Sequence, residues 1–312
     1  MSPRWNWDFE DRRKVAGSPH ASSAQQAQRV RIRRRRGVAA AVTVALLAVL
    51  VAALSGSHHP RAVPAARAHV VRRRVQSAPR PPAKDDRNAA VASVLAYTPF
   101  VKEGSERTRE IALTFDDGPG PYTPGVLDVL ERYHVHATFF EIGEMLRYFG
   151  ASTLRELRDG DVIGDHTETH PEMARLSAHE QHEQLFEQMA RIQLLGGPRP
   201  VLFRPPYGSY DSTTMRELHR LHLLMVLWSA DTDDYLQPGV PVIVQRALAG
   251  AHPGAIILMH DAGGTRTQTI AALPAIIEGL RARGYRLVTV PQLLHDDPPP
   301  PGQPLPSNLE GD

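Results

Sequence analysis

The chain has 312 residues and not one cysteine. Disulfide staples and thiolate metal sites are thereby excluded. The lack of disulfides does not argue against export, because a domain of about 200 residues buries enough core without staples. There is no G-x-G-x-x-G turn and no Walker loop, which leaves a nucleotide site without support. Most of the chain is also poor in positive charge. Residues 1–87 carry 18 Lys/Arg against 5 Asp/Glu, net +13, whereas residues 88–312 carry 18 against 29, net −11. An acidic domain repels polyanions, so no nucleic-acid partner is expected.

Long apolar runs are absent except for one. Residues 38–54 read VAAAVTVALLAVLVAAL, without a single charge. As a helix this run spans about 26 Å, close to a bilayer core of about 30 Å. RVRIRRRR, at 29–36, lies just before it, and such a cluster stays in the cytoplasm. The expectation is a basic cytoplasmic tail at 1–37, a single-pass transmembrane signal-anchor at 38–54, and everything beyond on the outer side of the cell membrane. The alternative is a cleaved signal peptide and a secreted product. Against it, the apolar run is longer than a usual signal core, and the A-x-A form at Ala66-Arg67-Ala68 lies far downstream. Residues 55–105, rich in Pro, Ala and Arg, read as an extracytoplasmic linker, 106–295 as the folded domain, and 296–312 as a disordered Pro-rich tail.

Within the domain, strand and helix patterns alternate. Strand candidates fall at 111–115, 137–142, 162–164, 201–204, 224–229, 255–259 and 286–290. The clearest helix opens at Ser177, where Ser177 and Glu180 form a capping box, and its Leu185, Met189 and Ile192 fall on one face. About seven β/α units imply an α/β fold with a parallel sheet, a distorted or incomplete (β/α) barrel, with an open doubly wound sheet as the alternative. Asp116 and Asp117 follow the first strand, and Asp165, His166 and His170 the third. Arg204 ends the fourth, Asp231 follows the fifth, and His260 ends the sixth. C-terminal strand ends are where barrel active sites form.

Asp117, His166 and His170 together supply two imidazoles and a carboxylate. This is a ligand set for zinc or another divalent ion such as cobalt, with positions left for water and substrate. H-x-x-x-H by itself is weak, since two histidines at that spacing are more often a solvated pair. The ordered set is stronger: TFDDGP at 114–119, HTETH at 166–170, RPPYG at 204–208, DTDDY at 231–235 and LMH at 258–260. It resembles the five motifs of the polysaccharide deacetylases, carbohydrate esterase family 4, also called the NodB-homology domain.

The resemblance implies that residues 106–295 are a polysaccharide deacetylase catalytic domain. It implies a divalent metal on Asp117, His166 and His170, Asp116 as general base and Arg204 as its ion-pair partner. His260 would be the general acid and Asp231 the group that tunes it. Tyr207 would offer its backbone N–H to the oxyanion, and Trp228 and Leu258 would line the acetyl pocket. The implied activity is N-deacetylation of an extracytoplasmic polysaccharide, N-acetylglucosamine residues of peptidoglycan or of a chitin-like glycan. A metal-dependent O-acetyl esterase and a non-catalytic glycan-binding relative are the alternatives. One departure is Tyr235, which stands where the fourth motif usually has Trp. Asp165 and Asp233 are expected to be structural or solvated, and His134, His136, His179, His182, His219 and His222 have no place in the motif pattern.

Overall fold

A computed structural model describes residues 84–304. The basic tail, the apolar run at 38–54, most of the linker and residues 305–312 lie outside the described residues. Among the described residues, no helix is long and apolar enough to cross a membrane.

Among the described residues, nine strands form one sheet: β1 (Phe100–Val101), β2 (Glu110–Gly118), β3 (Thr138–Glu141), β4 (Val162–Asp165), β5 (Leu202–Phe203), β6 (Leu224–Val226), β7 (Ala230–Asp231), β8 (Ile256–His260) and β9 (Arg286–Val288). Their order is β1-β6-β5-β4-β3-β2-β8-β7, with β9 on the start of β2. Every strand pair is parallel. The helices are α1 (Lys84–Leu95), α2 (Thr123–Tyr133), α3 (Leu146–Asp159), α4 (Ala178–Leu194), α5 (Ser212–Leu221), α6 (Val240–Ala249), α7 (Thr267–Ala282) and α8 (Val290–Asp296). This parallel β/α order fits a distorted (β/α) barrel in which β1 and β7 end the path unpaired with each other. Seven of the strands coincide with apolar runs in the sequence. β1 and β7 are two residues long, too short to show a period.

Strand alternation sorts the side chains. In β2, Ile111, Leu113 and Phe115 join one apolar cluster with Val126, Leu127 and Leu130 of α2 and Leu273, Ile276 and Ile277 of α7. Ala112 belongs to a second cluster on the other face, with Phe140, Phe203, Ile256, Leu258 and Trp228. Thr114 and Asp116 share the parity of Ala112, and His260 that of Ile256 and Leu258, so the polar groups ride on the inner face.

Capping of α4 is as the sequence expects. Ser177 is the N-cap, its N–H donates to Glu180 Oε2 at 2.8 Å, and the Glu180 N–H donates to Ser177 Oγ. The folded part is wider than residues 106–295. Helix α1 packs on α8, and the Tyr97 hydroxyl donates to the Pro299 carbonyl at 2.7 Å. Asp297 is fully buried and accepts from the Ser105 hydroxyl and, at 3.2 Å, from the Arg107 N–H. Gln303 accepts from the Lys102 N–H at 3.0 Å and donates to the Glu103 carbonyl at 2.8 Å. A buried carboxylate requires donors, and the segment before β2 supplies them.

Candidate active site

Strands β2 and β8 place Asp116 and His260 opposite each other in register. On a regular strand, Asp116 and Asp117 would point to opposite faces. The β2–β3 register slips between Asp116 and Gly118, and Asp117 adopts φ 71°. This bulge re-aims the second carboxylate. Asp116 Oδ2 and Asp117 Oδ1 thus both lie near His166 Nε2, at 3.9 and 3.7 Å. Gly263, at φ 71°, backs the arrangement, since a Cβ there would meet Asp117 Oδ2 at 2.1 Å.

The loop after β4 brings the two imidazoles. Asp165, expected to be structural, is buried and accepts the Thr167 N–H at 2.7 Å. Thr167 and His170 take φ 70° and 59°, which curls the loop until the His166 and His170 rings stand 4.9 Å apart. His166 Nδ1 lies 2.8 Å from the Arg204 carbonyl oxygen, which fixes its N–H there and leaves Nε2 as the ligand atom. His170 Nδ1 lies 3.1 Å from the Tyr207 hydroxyl, and His170 Nε2 3.2 Å from Asp117 Oδ1. Asp117, His166 and His170 offer ligand atoms all within 4.8 Å of one another. Asp117 Oδ1 is buried between the two imidazoles, 3.2 Å from His170 Nε2 and 3.7 Å from His166 Nε2. Burial would raise the Asp117 carboxyl, but the nearby histidines outweigh it and hold it well below its usual range. Two imidazoles and a half-buried, ionised carboxylate converging on one point fit a divalent cation.

On one side of this point stands Asp116. Arg204, fully buried, donates to Asp116 Oδ1 at 2.7 Å and to Thr114 Oγ1 at 2.9 Å. Its Nε donates to the Val226 carbonyl at 3.0 Å, and its guanidinium lies 4.2 Å from the Phe140 ring centre and 5.6 Å from that of Trp228. Trp228 and Leu258 are buried on the same inner face.

Beside Asp116, on the neighbouring strand β8, stands His260, and its carboxylate partner differs from the one the sequence leads one to expect. The carboxylate on His260 is Asp234, not Asp231. Asp234 Oδ1 lies 2.7 Å from His260 Nδ1, while its Oδ2 accepts the His260 N–H at 3.0 Å and the Thr269 hydroxyl at 2.6 Å. Burial would raise the Asp234 carboxyl, but His260, Thr269 and Arg266 hold it below the usual carboxylate range. Asp231 ends β7 and spends Oδ1 on the Asp233 N–H at 2.8 Å, and burial pushes its carboxyl up to about 6. The left-handed Asp233 and Gln237 bracket a short turn, Asp234–Leu236, that swings Asp234 beneath His260. Tyr235 sets its ring edge-on to His260, centres 5.4 Å apart. Asp233 pairs with Arg246 at 2.5 Å, and Tyr207 sits at φ 56° in the turn Pro206–Gly208. Arg266 had no assignment from the sequence. It is buried, with Nη2 4.0 Å from Asp117 Oδ2 and Nε donating to the Ala262 carbonyl at 2.6 Å.

The sequence pattern described as Polysaccharide deacetylase matches residues 103–226. A peptidoglycan-N-acetylglucosamine deacetylase of Bacillus cereus is 40% identical over 194 residues, covering 59% of this chain and 87% of that protein. This chain belongs to the polysaccharide deacetylase family. Among the family's solved structures, the peptidoglycan deacetylase PdaC of Bacillus subtilis superposes with a TM-score of 0.56 at 36% identity, covering 61% of this chain and 91% of that one. A peptidoglycan-N-acetylglucosamine deacetylase of Listeria monocytogenes is 36% identical over 190 residues, 61% of this chain. The matched region spans 40% of the Listeria protein's length.

Proposed function

We propose that this chain is a metal-dependent N-deacetylase of an extracytoplasmic polysaccharide, acting on N-acetylglucosamine residues of peptidoglycan or of a chitin-like glycan. The observation that carries it is a pair of fastened groups next to one candidate cation position: Asp116 held by Arg204 and, on the neighbouring strand, His260 held by Asp234. The names of the Bacillus and Listeria relatives point to peptidoglycan as the substrate.

An amide carbonyl is a poor electrophile, and water is a poor nucleophile at neutral pH. Asp117, His166 and His170 would hold a divalent ion, zinc or a similar metal, which would supply Lewis-acid polarisation and bring the pKa of water down to about 7. Asp116 takes the proton from the attacking water, with Arg204 fixing its position. Tyr207 offers its backbone N–H to the carbonyl oxygen as charge builds there. His260 holds its Nδ1–H on Asp234 and delivers the Nε2 proton to the leaving nitrogen. Such acid–base help contributes about 10²–10⁴-fold. Trp228 and Leu258 bound the space for the acetyl methyl.

The sequence alone supports the location. The Arg29–Arg36 cluster before an uncharged apolar run puts the domain outside the cytoplasm, anchored by residues 38–54. A reporter fused after Val290 that is active only in the cytoplasm would refute it, and a mature N-terminus near His69 would show a cleaved, secreted form. The activity is tested by incubating the zinc-loaded chain with wall glycan, chitin oligosaccharides and acetylated xylan. Acetate matched by new free amine is the expected result. Acetate without amine identifies an O-acetyl esterase, and glycan binding with neither product identifies a non-catalytic relative.

A further inference from the structure

The loop that carries His166 and His170 is held from two sides. On the sheet side, the Gly143 and Glu144 N–H groups donate to the Thr167 and Glu168 carbonyls at 3.0 and 2.9 Å. On the helix side, α4 presents Gln184, Gln188 and Arg191, four and three residues apart and so on one face. Gln184 Oε1 accepts the Thr169 N–H at 2.9 Å, and its Nε2 donates to the Thr169 hydroxyl at 2.9 Å. Gln188 Nε2 donates to the Glu141 carbonyl at the end of β3, at 3.0 Å. Arg191 grips Glu168 Oε1 through Nε at 2.6 Å and Nη2 at 2.5 Å.

Glu168 lies between the two histidines in sequence, yet it is not one of the groups that converge on the cation position. It is 4% exposed and packs over Gly143, where a Cβ would come within 2.1 Å of Oε2. A carboxylate so buried needs a cation, and Arg191 is the one bonded to it. The next face of the same helix, Leu185, Met189 and Ile192, is locked into the two apolar clusters. The polar stripe is therefore mounted on a rigid element, which a five-residue loop with two left-handed residues is not.

We propose that Glu168 and Arg191 are positioning residues for the metal site, fastening the histidine loop to α4 so that both imidazoles stand at ligand spacing before the ion arrives. The proposal rests on the reading of Asp117, His166 and His170 as the ligands. Gln184 adds a second, neutral fastening at Thr169.

The test is zinc affinity of the metal-free full chain, read by competition with a chelator of known affinity, alongside the melting temperature of each metal-free variant. Glu168→Gln keeps the shape and removes the charge; Arg191→Ala removes the cation. Both are expected to weaken zinc binding about 10–100-fold, the range typical of groups that orient metal ligands. Arg191→Lys, which keeps the charge but loses the fork, is expected to recover part of that loss. Unchanged zinc affinity in Glu168→Gln and Arg191→Ala overturns the proposal. So does a weakening accompanied by an equivalent loss of metal-free stability in Glu168→Gln, which would mark a general fold contact. A wild-type chain that binds no zinc overturns the ligand assignment itself, a result distinct from either.

Discussion

Asp116 and His260 stand side by side on the inner face of β2 and β8, and each is held by a buried partner of opposite sign to the other's. Asp116 is fastened by Arg204, a cation with no exposed surface whose remaining donors go to Thr114, Val226 and Leu227. His260 is fastened by Asp234, whose second oxygen is taken by the His260 N–H and Thr269. A fixed guanidinium suits a carboxylate that must accept a proton, and a fixed carboxylate suits an imidazole that must carry one. The partners, more than the two groups themselves, divide the proposed base from the proposed acid.

Both groups lose their use together when the cation position beside them is lost. His166→Ala is expected to abolish zinc binding and acetate release together while the domain stays folded, which dialysis against zinc and a melting curve check. Next come the two groups themselves. Asp116→Asn and His260→Ala should each keep zinc and lower turnover by about 10²–10⁴-fold. The partner of the acid is sharper still. Asp234→Asn removes a charge-assisted bond, worth about 10–100-fold if it acts through His260. Asp231→Asn should stay near wild type in kcat. A larger loss in Asp231→Asn would return the tuning role to Asp231.

The smallest effect concerns stability. Asp161 is buried and accepts the Ala137 N–H at 2.7 Å, and burial pushes its carboxyl from 3.8 up to about 7. Glu141 is likewise pushed up to about 7 and Asp261 to about 8, chiefly by burial. Raised values mean that the folded chain binds more protons than the unfolded one. Their contribution is therefore fully present below about pH 4 and is lost as pH rises through 7 to 8. The metal-free melting temperature should fall across that window. Asp161→Asn, which cannot ionise, should flatten the fall; an unchanged slope would show that Asp161 does not contribute to it.

The main strands were legible because their apolar runs report which faces are buried, and Asp117, His166 and His170 could be grouped as candidate ligands because they follow strand ends within ordered motifs. Other features left no local trace. β1 and β7 are defined by pairing with distant strands. Asp297 sits in a proline-rich run that reads as disordered, and only the fold reveals that Ser105 and Arg107 enclose it. Asp231 and Asp234 are equivalent in a linear motif, and the left-handed turn at Asp233 decides between them. Arg191 lies 23 residues from Glu168, so helix periodicity could rank it as polar but could not name its partner.

Leaving-group dependence separates a base at Asp116 from an acid at His260. We would measure kcat/KM of wild type, Asp116→Asn and His260→Ala on an N-acetylated chitin oligosaccharide and on an activated aryl acetate. The aryl leaving group needs no proton. It should restore His260→Ala far more than Asp116→Asn, whose defect lies in the attack on the carbonyl. Equal restoration of both variants would contradict the assignment of the two roles.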